Sequence, residues 1–77
     1  MDINEFIEKF GDQFDDLNGV TLTADTPFRE IGSWSSLTAL SIIAMIDEEY
    51  GVQIKGDDIR SSQTVKDVFE KVVMKKG

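Results

Sequence analysis

Apolar residues return at three- and four-residue steps in three stretches of the chain, and each stretch predicts a helix. In the first, Ile3, Phe6, Ile7, Phe10, Phe14 and Leu17 share a face, with Glu5, Glu8, Lys9, Asp12 and Asp15 between them. That is the period of an amphipathic helix. Asp2 is placed to cap its start, and Asn18-Gly19 to stop it. The second helix runs from about Ser36 to Tyr50, with Ser35 as cap and Gly51 as its stop. The third opens at Thr64, with Asp67 three residues on as a capping box, and carries the stripe Val65, Val68, Phe69, Val72 and Val73. Its β-branched valines lower helix propensity, so packing must hold it.

Two connections separate these helices. Residues 18–35 keep no period and contain the single proline, Pro27. Thr26-Pro27-Phe28-Arg29 predicts one helical turn, with Thr26 capping and Pro27 in the first position. Val20, Leu22, Phe28, Ile31 and Trp34 predict that this long loop packs down. Val20-Thr21-Leu22-Thr23 alternates like a short strand, but no matching alternation precedes it, so a hairpin is rejected. In residues 52–63, Gly56-Asp57-Asp58-Ile59-Arg60 predicts one more turn. The expected fold is a small all-α bundle of three main helices and a short one, forming a single domain over residues 1–77.

The second helix has two apolar faces. At about 100° per residue, Ala39, Ile42, Ile43, Ile46 and Tyr50 fall in one arc, the predicted core face. Leu37, Leu40 and Ala44 cluster on nearly the opposite side, flanked by Ser41, Asp47 and Glu48. A helix in so small a bundle seldom buries both sides. The second face is therefore either an exposed apolar strip rimmed by acid, suited to docking a basic partner, or a surface that the long loop covers through Trp34.

Composition narrows the chemistry. Eight bases against fifteen acids leave a net charge of −7, unevenly spread: residues 1–58 hold three bases and thirteen acids, residues 59–77 five bases and two acids. Such a chain is repelled by nucleic-acid phosphates and anionic lipid, so neither is an expected partner. There is no cysteine and no histidine. That excludes a disulfide framework, a zinc ribbon, a thiol nucleophile and a Ser-His relay, and the expectation is a non-enzyme. No metal site is expected either. Asp16-Leu17-Asn18-Gly19 lacks the spacing of a calcium loop, and Asp47-Glu48-Glu49 and Asp57-Asp58 read as solvated or partner-facing edges rather than metal sites. No apolar run approaches the roughly 20 residues of a membrane helix. The start, Met1-Asp2-Ile3-Asn4-Glu5, is acidic where a signal peptide is basic. A soluble, cytoplasmic monomer is the expectation.

Ser33, Ser35 and Ser36 sit at the head of the second helix, where N–H groups lack partners and the dipole end is positive. They read as N-caps or, more sharply, as the seat of a phosphate ester. No base in this chain activates a serine hydroxyl at neutral pH, so another enzyme would have to make that ester.

The ensemble Phe28-Arg29-Glu30-Ile31-Gly32, Ser36-Leu37, Ile42-Ile43-Ala44-Met45-Ile46-Asp47-Glu48-Glu49-Tyr50, Gly51-Val52-Gln53-Ile54 and Thr64-Val65-Lys66-Asp67-Val68 resembles the acyl carrier proteins, in order and over nearly the whole chain. The resemblance implies a bundle of three main helices and one short one. It also implies that Ser36, followed by Leu37 as in the family's Asp-Ser-Leu motif, carries a 4′-phosphopantetheine arm. A phosphopantetheinyl transferase, with coenzyme A and magnesium, would attach the arm, whose thiol then holds an acyl or aminoacyl group as a thioester. Basic patches on loading and synthase enzymes would dock on the second helix, through Leu37, Leu40, Ser41, Ala44, Asp47 and Glu48.

This chain departs from the family pattern in three places. Ser35 stands where the family has Asp, Ser33-Trp34 lengthens the approach by one residue, and Ser41 replaces a frequent glutamate. Each lost acid removes an exposed pairing contributing about 0.2–1 kcal/mol. The departures point away from housekeeping fatty-acid synthesis, to a specialised lipid or polyketide-like pathway. A peptidyl or D-alanyl type carrier, and an unmodified interaction module of the same fold, are the alternatives.

Overall fold

Local capping sets most helix starts in the computed structural model, which describes residues 2–77. The helices are α1 (Ile3–Gly11), α2 (Ser36–Tyr50), α3 (Gly56–Arg60) and α4 (Val65–Lys76), with a short 3-10 turn at Phe28–Glu30 before α2. This is the small all-α bundle expected; no named strand occurs among the described residues. Asp2 caps α1 by accepting from the Asn4 N–H at 2.9 Å. Ser35 caps α2, and Gly51, at φ +66° where a side chain would be strained, ends it. In α3 the Asp58 carboxylate accepts from the Lys55 N–H at 2.9 Å. This is half of a capping box, because the lysine side chain has no acceptor to return.

The expectation that α1 runs on to Asn18-Gly19 is wrong: it ends at Gly11. Beyond it the Gln13 and Phe14 N–H groups bond only three residues back, to the carbonyls of Phe10 (3.2 Å) and Gly11 (3.1 Å). The Gln13 side-chain amide covers the Lys9 carbonyl at 3.1 Å. Leu22 of the long loop packs against Gly11, where an added Cβ would sit 3.0 Å from its side chain. The long loop crosses there, and a larger residue at position 11 would push the Leu22 side chain aside. Asn18 and Gly19, at φ +53° and +78°, instead form a turn closed by the Val20 N–H on the Leu17 carbonyl at 2.9 Å.

That loop packs down, though not as expected at each position. Val20 stays exposed, while Leu22 and Trp34 are half-buried and Phe28 and Ile31 are buried. Pro27, not Thr26, precedes the short turn. Thr26 Oγ1 turns back to accept from the Thr23 N–H at 2.8 Å. Its carbonyl is thereby left facing α4, where it accepts from Val65 N–H (3.3 Å) while Ala24 accepts from Lys66 N–H (2.8 Å). The loop closes the head of α4.

An aromatic ladder fills the centre. Phe6 and Phe10 lie 5.8 Å apart, Phe10 and Phe28 5.5 Å, and Phe28 and Trp34 5.0 Å between ring centroids. Phe6, Phe10 and Phe28 are fully buried, as are Ile42 and Ile46 of α2 and Val65, Val68 and Val72 of α4, each such side chain contributing about 1.5–3 kcal/mol of burial. Two expectations about faces need correction. On α2 the core centres on Thr38, Ile42, Met45 and Ile46, with Ala39, Ile43 and Tyr50 only half-buried. The helix is rotated so that its Ala39–Ile43 edge opens toward α3. On α4, Val73 lies at the margin of the stripe and is exposed, as is Met74.

The basic C-terminal segment has a structural role. Lys71 Nζ donates to the Asp58 carbonyl (2.8 Å), and Lys76 Nζ to the Tyr50 carbonyl (2.9 Å). Arg29 donates to the carbonyls of Arg60 (2.8 Å) and Ser62 (2.7 Å). The Asp58, Arg60 and Tyr50 carbonyls lie in the last turns of α3 and α2, where intrahelical donors run out and the dipole end is negative.

Candidate functional site

The three serines before and within the head of α2 have separate fates. Ser33 Oγ donates to the Asp16 carbonyl at 2.5 Å, tying the approach to the segment after α1. Ser35 Oγ accepts from the Thr38 N–H at 3.3 Å, the N-cap bond. The buried Thr38 hydroxyl in turn donates to the Ser33 carbonyl at 3.2 Å. Ser36 is exposed, and among the described residues its hydroxyl takes no hydrogen bond. The Ser36 and Leu37 N–H groups likewise have no acceptor there, while the Ala39 N–H closes on the Ser35 carbonyl at 3.1 Å. The first turn of α2 contains no acid. Ser36 thus presents a free hydroxyl beside two free N–H groups at a positive helix end, where a phosphate ester is stabilised.

A groove of about 360 Å³ opens between α2 and α3 beside Ser36. Trp34, Ala39, Ile43 and Ile59 make it largely apolar, with Arg29 and Arg60 at its edge. Both cations are already engaged, Arg29 on backbone carbonyls and Arg60 on Asp57. Trp34 belongs to this groove and to the aromatic ladder, so the alternative in which it covers the second face of α2 does not hold. That face is open: Leu37 is 75% and Leu40 61% exposed, and Ala44, Ser41, Asp47 and Glu48 are exposed beside them.

The open face of α2 was expected from the sequence, and Ser36 is exposed as a modified serine must be, but the groove was not foreseen. Its α3 wall comes from Ile59 and Arg60, some twenty residues further on, and only the outward rotation of the Ala39–Ile43 edge creates it. The one readable signal was a short apolar-containing turn at Gly56–Arg60. Among the described residues no group of three or more acids could hold a metal ion, and no helix is long and apolar enough to cross a membrane. Asp16, within the segment that faintly resembles a calcium loop, spends Oδ1 on the Asn18 N–H at 2.7 Å.

A free hydroxyl, free N–H donors and an adjacent apolar groove suit a phosphate-linked arm. The sequence model of the phosphopantetheine attachment site matches residues 4–72, and the chain belongs to that family. Its members are carrier proteins that bear a covalently attached 4′-phosphopantetheine. They are generally non-catalytic and work with transferases and synthase enzymes. Neither a curated protein nor a solved structure gives a significant match to this chain.

Proposed function

We propose that Ser36 is the attachment serine and that the chain carries acyl intermediates, as thioesters, in a specialised lipid or polyketide-like pathway. The observation that carries the reading is the division among the serines. In a chain of this family, Ser36 alone at the head of α2 has an exposed, uncommitted hydroxyl beside free N–H donors. When bound, the arm supplies the thiol that a cysteine-free chain lacks. The chain's own contribution is positional. Ser36 and Leu37 N–H groups favour the phosphodiester anion, and the groove lined by Trp34, Ala39, Ile43 and Ile59 favours a hydrocarbon cargo over an aminoacyl one. Leu37, Leu40, Ser41, Ala44, Asp47 and Glu48 offer loading and synthase enzymes an apolar strip with an acidic lower edge. The carrier acts as a cytoplasmic monomer.

The test is intact-mass measurement after incubation with coenzyme A, magnesium and a broad-range phosphopantetheinyl transferase. The expected result is a gain of one phosphopantetheine that Ser36→Ala abolishes and Ser35→Ala retains. A gain that survives in Ser36→Ala would place the arm elsewhere. No gain with any transferase would leave an interaction module of the carrier fold.

A further inference from the structure

With Ser35 and Ser41 the upper half of α2 carries no charge, yet the structure brings an acid beside it. A groove of about 470 Å³ runs along the outer face of α2, with Leu37, Leu40 and Ala44 on one side and Gln13 and Asp15 on the other. No basic residue lines it. It exists because α1 stops at Gly11 and the chain folds back as far as Asp16.

The wall that carries Asp15 is held at three points. Gln13 is fixed on the Lys9 carbonyl (3.1 Å). Phe14 is buried, with its ring 5.9 Å from Phe10 and 6.0 Å from Trp34. The Asp16 carbonyl accepts from Ser33 Oγ at 2.5 Å. Asp15 itself is exposed, and among the described residues its carboxylate joins no ion pair. The lengthened approach, Ser33-Trp34, thus supplies both the hydroxyl and the ring that anchor this wall.

We infer that Asp15 is a docking residue for the phosphopantetheinyl transferase, supplying the negative charge that the upper half of α2 itself lacks. This rests on the carrier reading above. An enzyme acting on the Ser36 hydroxyl must cover Leu37, the next residue and part of the groove. The matching surface is an apolar side chain seated between Leu37 and Leu40, flanked by one cation toward Asp15 and another toward Asp47 and Glu48. Because the wall is fixed before docking, little ordering opposes the contact.

The experiment compares initial modification rates of the full chain with the same broad-range transferase, coenzyme A and magnesium, at low and at physiological salt. Asp15→Lys is expected to slow modification roughly 3- to 10-fold at low salt, and less at high salt, with Asp15→Asn intermediate. Asp12→Lys changes net charge equally but faces the groove on the far side of α1, and is expected to leave the rate unchanged. Circular dichroism checks that each variant folds. If Asp12→Lys slows the reaction as much as Asp15→Lys, the effect belongs to overall charge and the inference fails. If wild type is modified and Asp15→Lys is just as fast, the inference fails while the carrier reading stands. If wild type gains no mass, both fall.

Discussion

Two helices of this chain begin with a hydroxyl cap, and they begin very differently. At the head of α4 every first-turn donor is satisfied. Val65 and Lys66 N–H groups reach loop carbonyls, Asp67 N–H bonds Thr64 Oγ1 at 3.2 Å, and Val68 N–H closes on the Thr64 carbonyl at 3.4 Å. The Asp67 carboxylate also accepts from the Gln63 (2.9 Å) and Thr64 (3.1 Å) N–H groups. At the head of α2, Ser35 serves Thr38 and Ala39, while Ser36 and Leu37 N–H groups are left over. The closed head ties α4 to the long loop, whereas the open one leaves two donors at a positive helix end without a partner among the described residues. Similar local sequence produces either, depending on whether a distant loop arrives to finish the cap.

The comparison can be broken most strongly at the closed end. Replacing both Thr64 and Asp67 by Ala removes both halves of the capping box and is expected to cost about 2 kcal/mol of stability. The urea midpoint should fall with no change in slope, and the initial rate of modification at Ser36 should be unaffected under folding conditions. A comparable loss of modification rate would mean that the two heads are coupled.

A smaller effect separates the ends by pH. Hydrogen bonds from the Gln63 and Thr64 N–H groups hold the Asp67 carboxyl below its usual value near 3.8. The unfolded chain therefore takes up this proton first, and folding stability falls as pH drops from the unfolded value through the lower folded one. The stability present above about 3.8 should decline more steeply below it in wild type than in Asp67→Asn. Parallel curves for the two proteins in urea titrations from neutral pH downward would remove Asp67 from the account. The head of α2, with no acid in its first turn, contributes no such dependence.

The smallest effect sharpens the contrast from the other side. Ser35→Asp puts a negative charge at the open head and is expected to add about 0.3–1 kcal/mol to the unmodified protein. Attachment of the anionic phosphodiester next to it should reduce that gain. Equal stabilisation before and after modification, read from thermal midpoints, would argue against the arm sitting at this helix end.

Much of this was legible residue by residue. Ser35 and Gly51 bound α2, and Thr64 with Asp67 starts α4, because caps are short-range chemistry between neighbours. The uncommitted serine was less legible. Ser33, Ser35 and Ser36 look alike in a string of letters; Ser35 is set apart by its local cap on the Thr38 N–H, but Ser33 only by the Asp16 carbonyl seventeen residues away. The end of α1 misled for a related reason. Phe14 and Leu17 keep the apolar period, yet they reach the core from tight turns in which the Gln13 and Phe14 N–H groups bond three residues back, so the period outlasts the helix.

The amino-acid sequence by itself determined the helical bundle, the starts of α2 and α4, the acidic balance and the absence of thiol and imidazole. All of these follow from local propensity, periodicity and inventory. Tertiary structure alone decided which way α2 turns, which opens one groove toward α3 and another toward Asp15. It also decided that the basic tail would cap other helices. The sequence sets which groups are available, but which of them meet depends on packing between segments far apart in the chain. Side chains such as Lys71, Lys76 and Ser33 meet carbonyls of segments that only the packed core holds beside them.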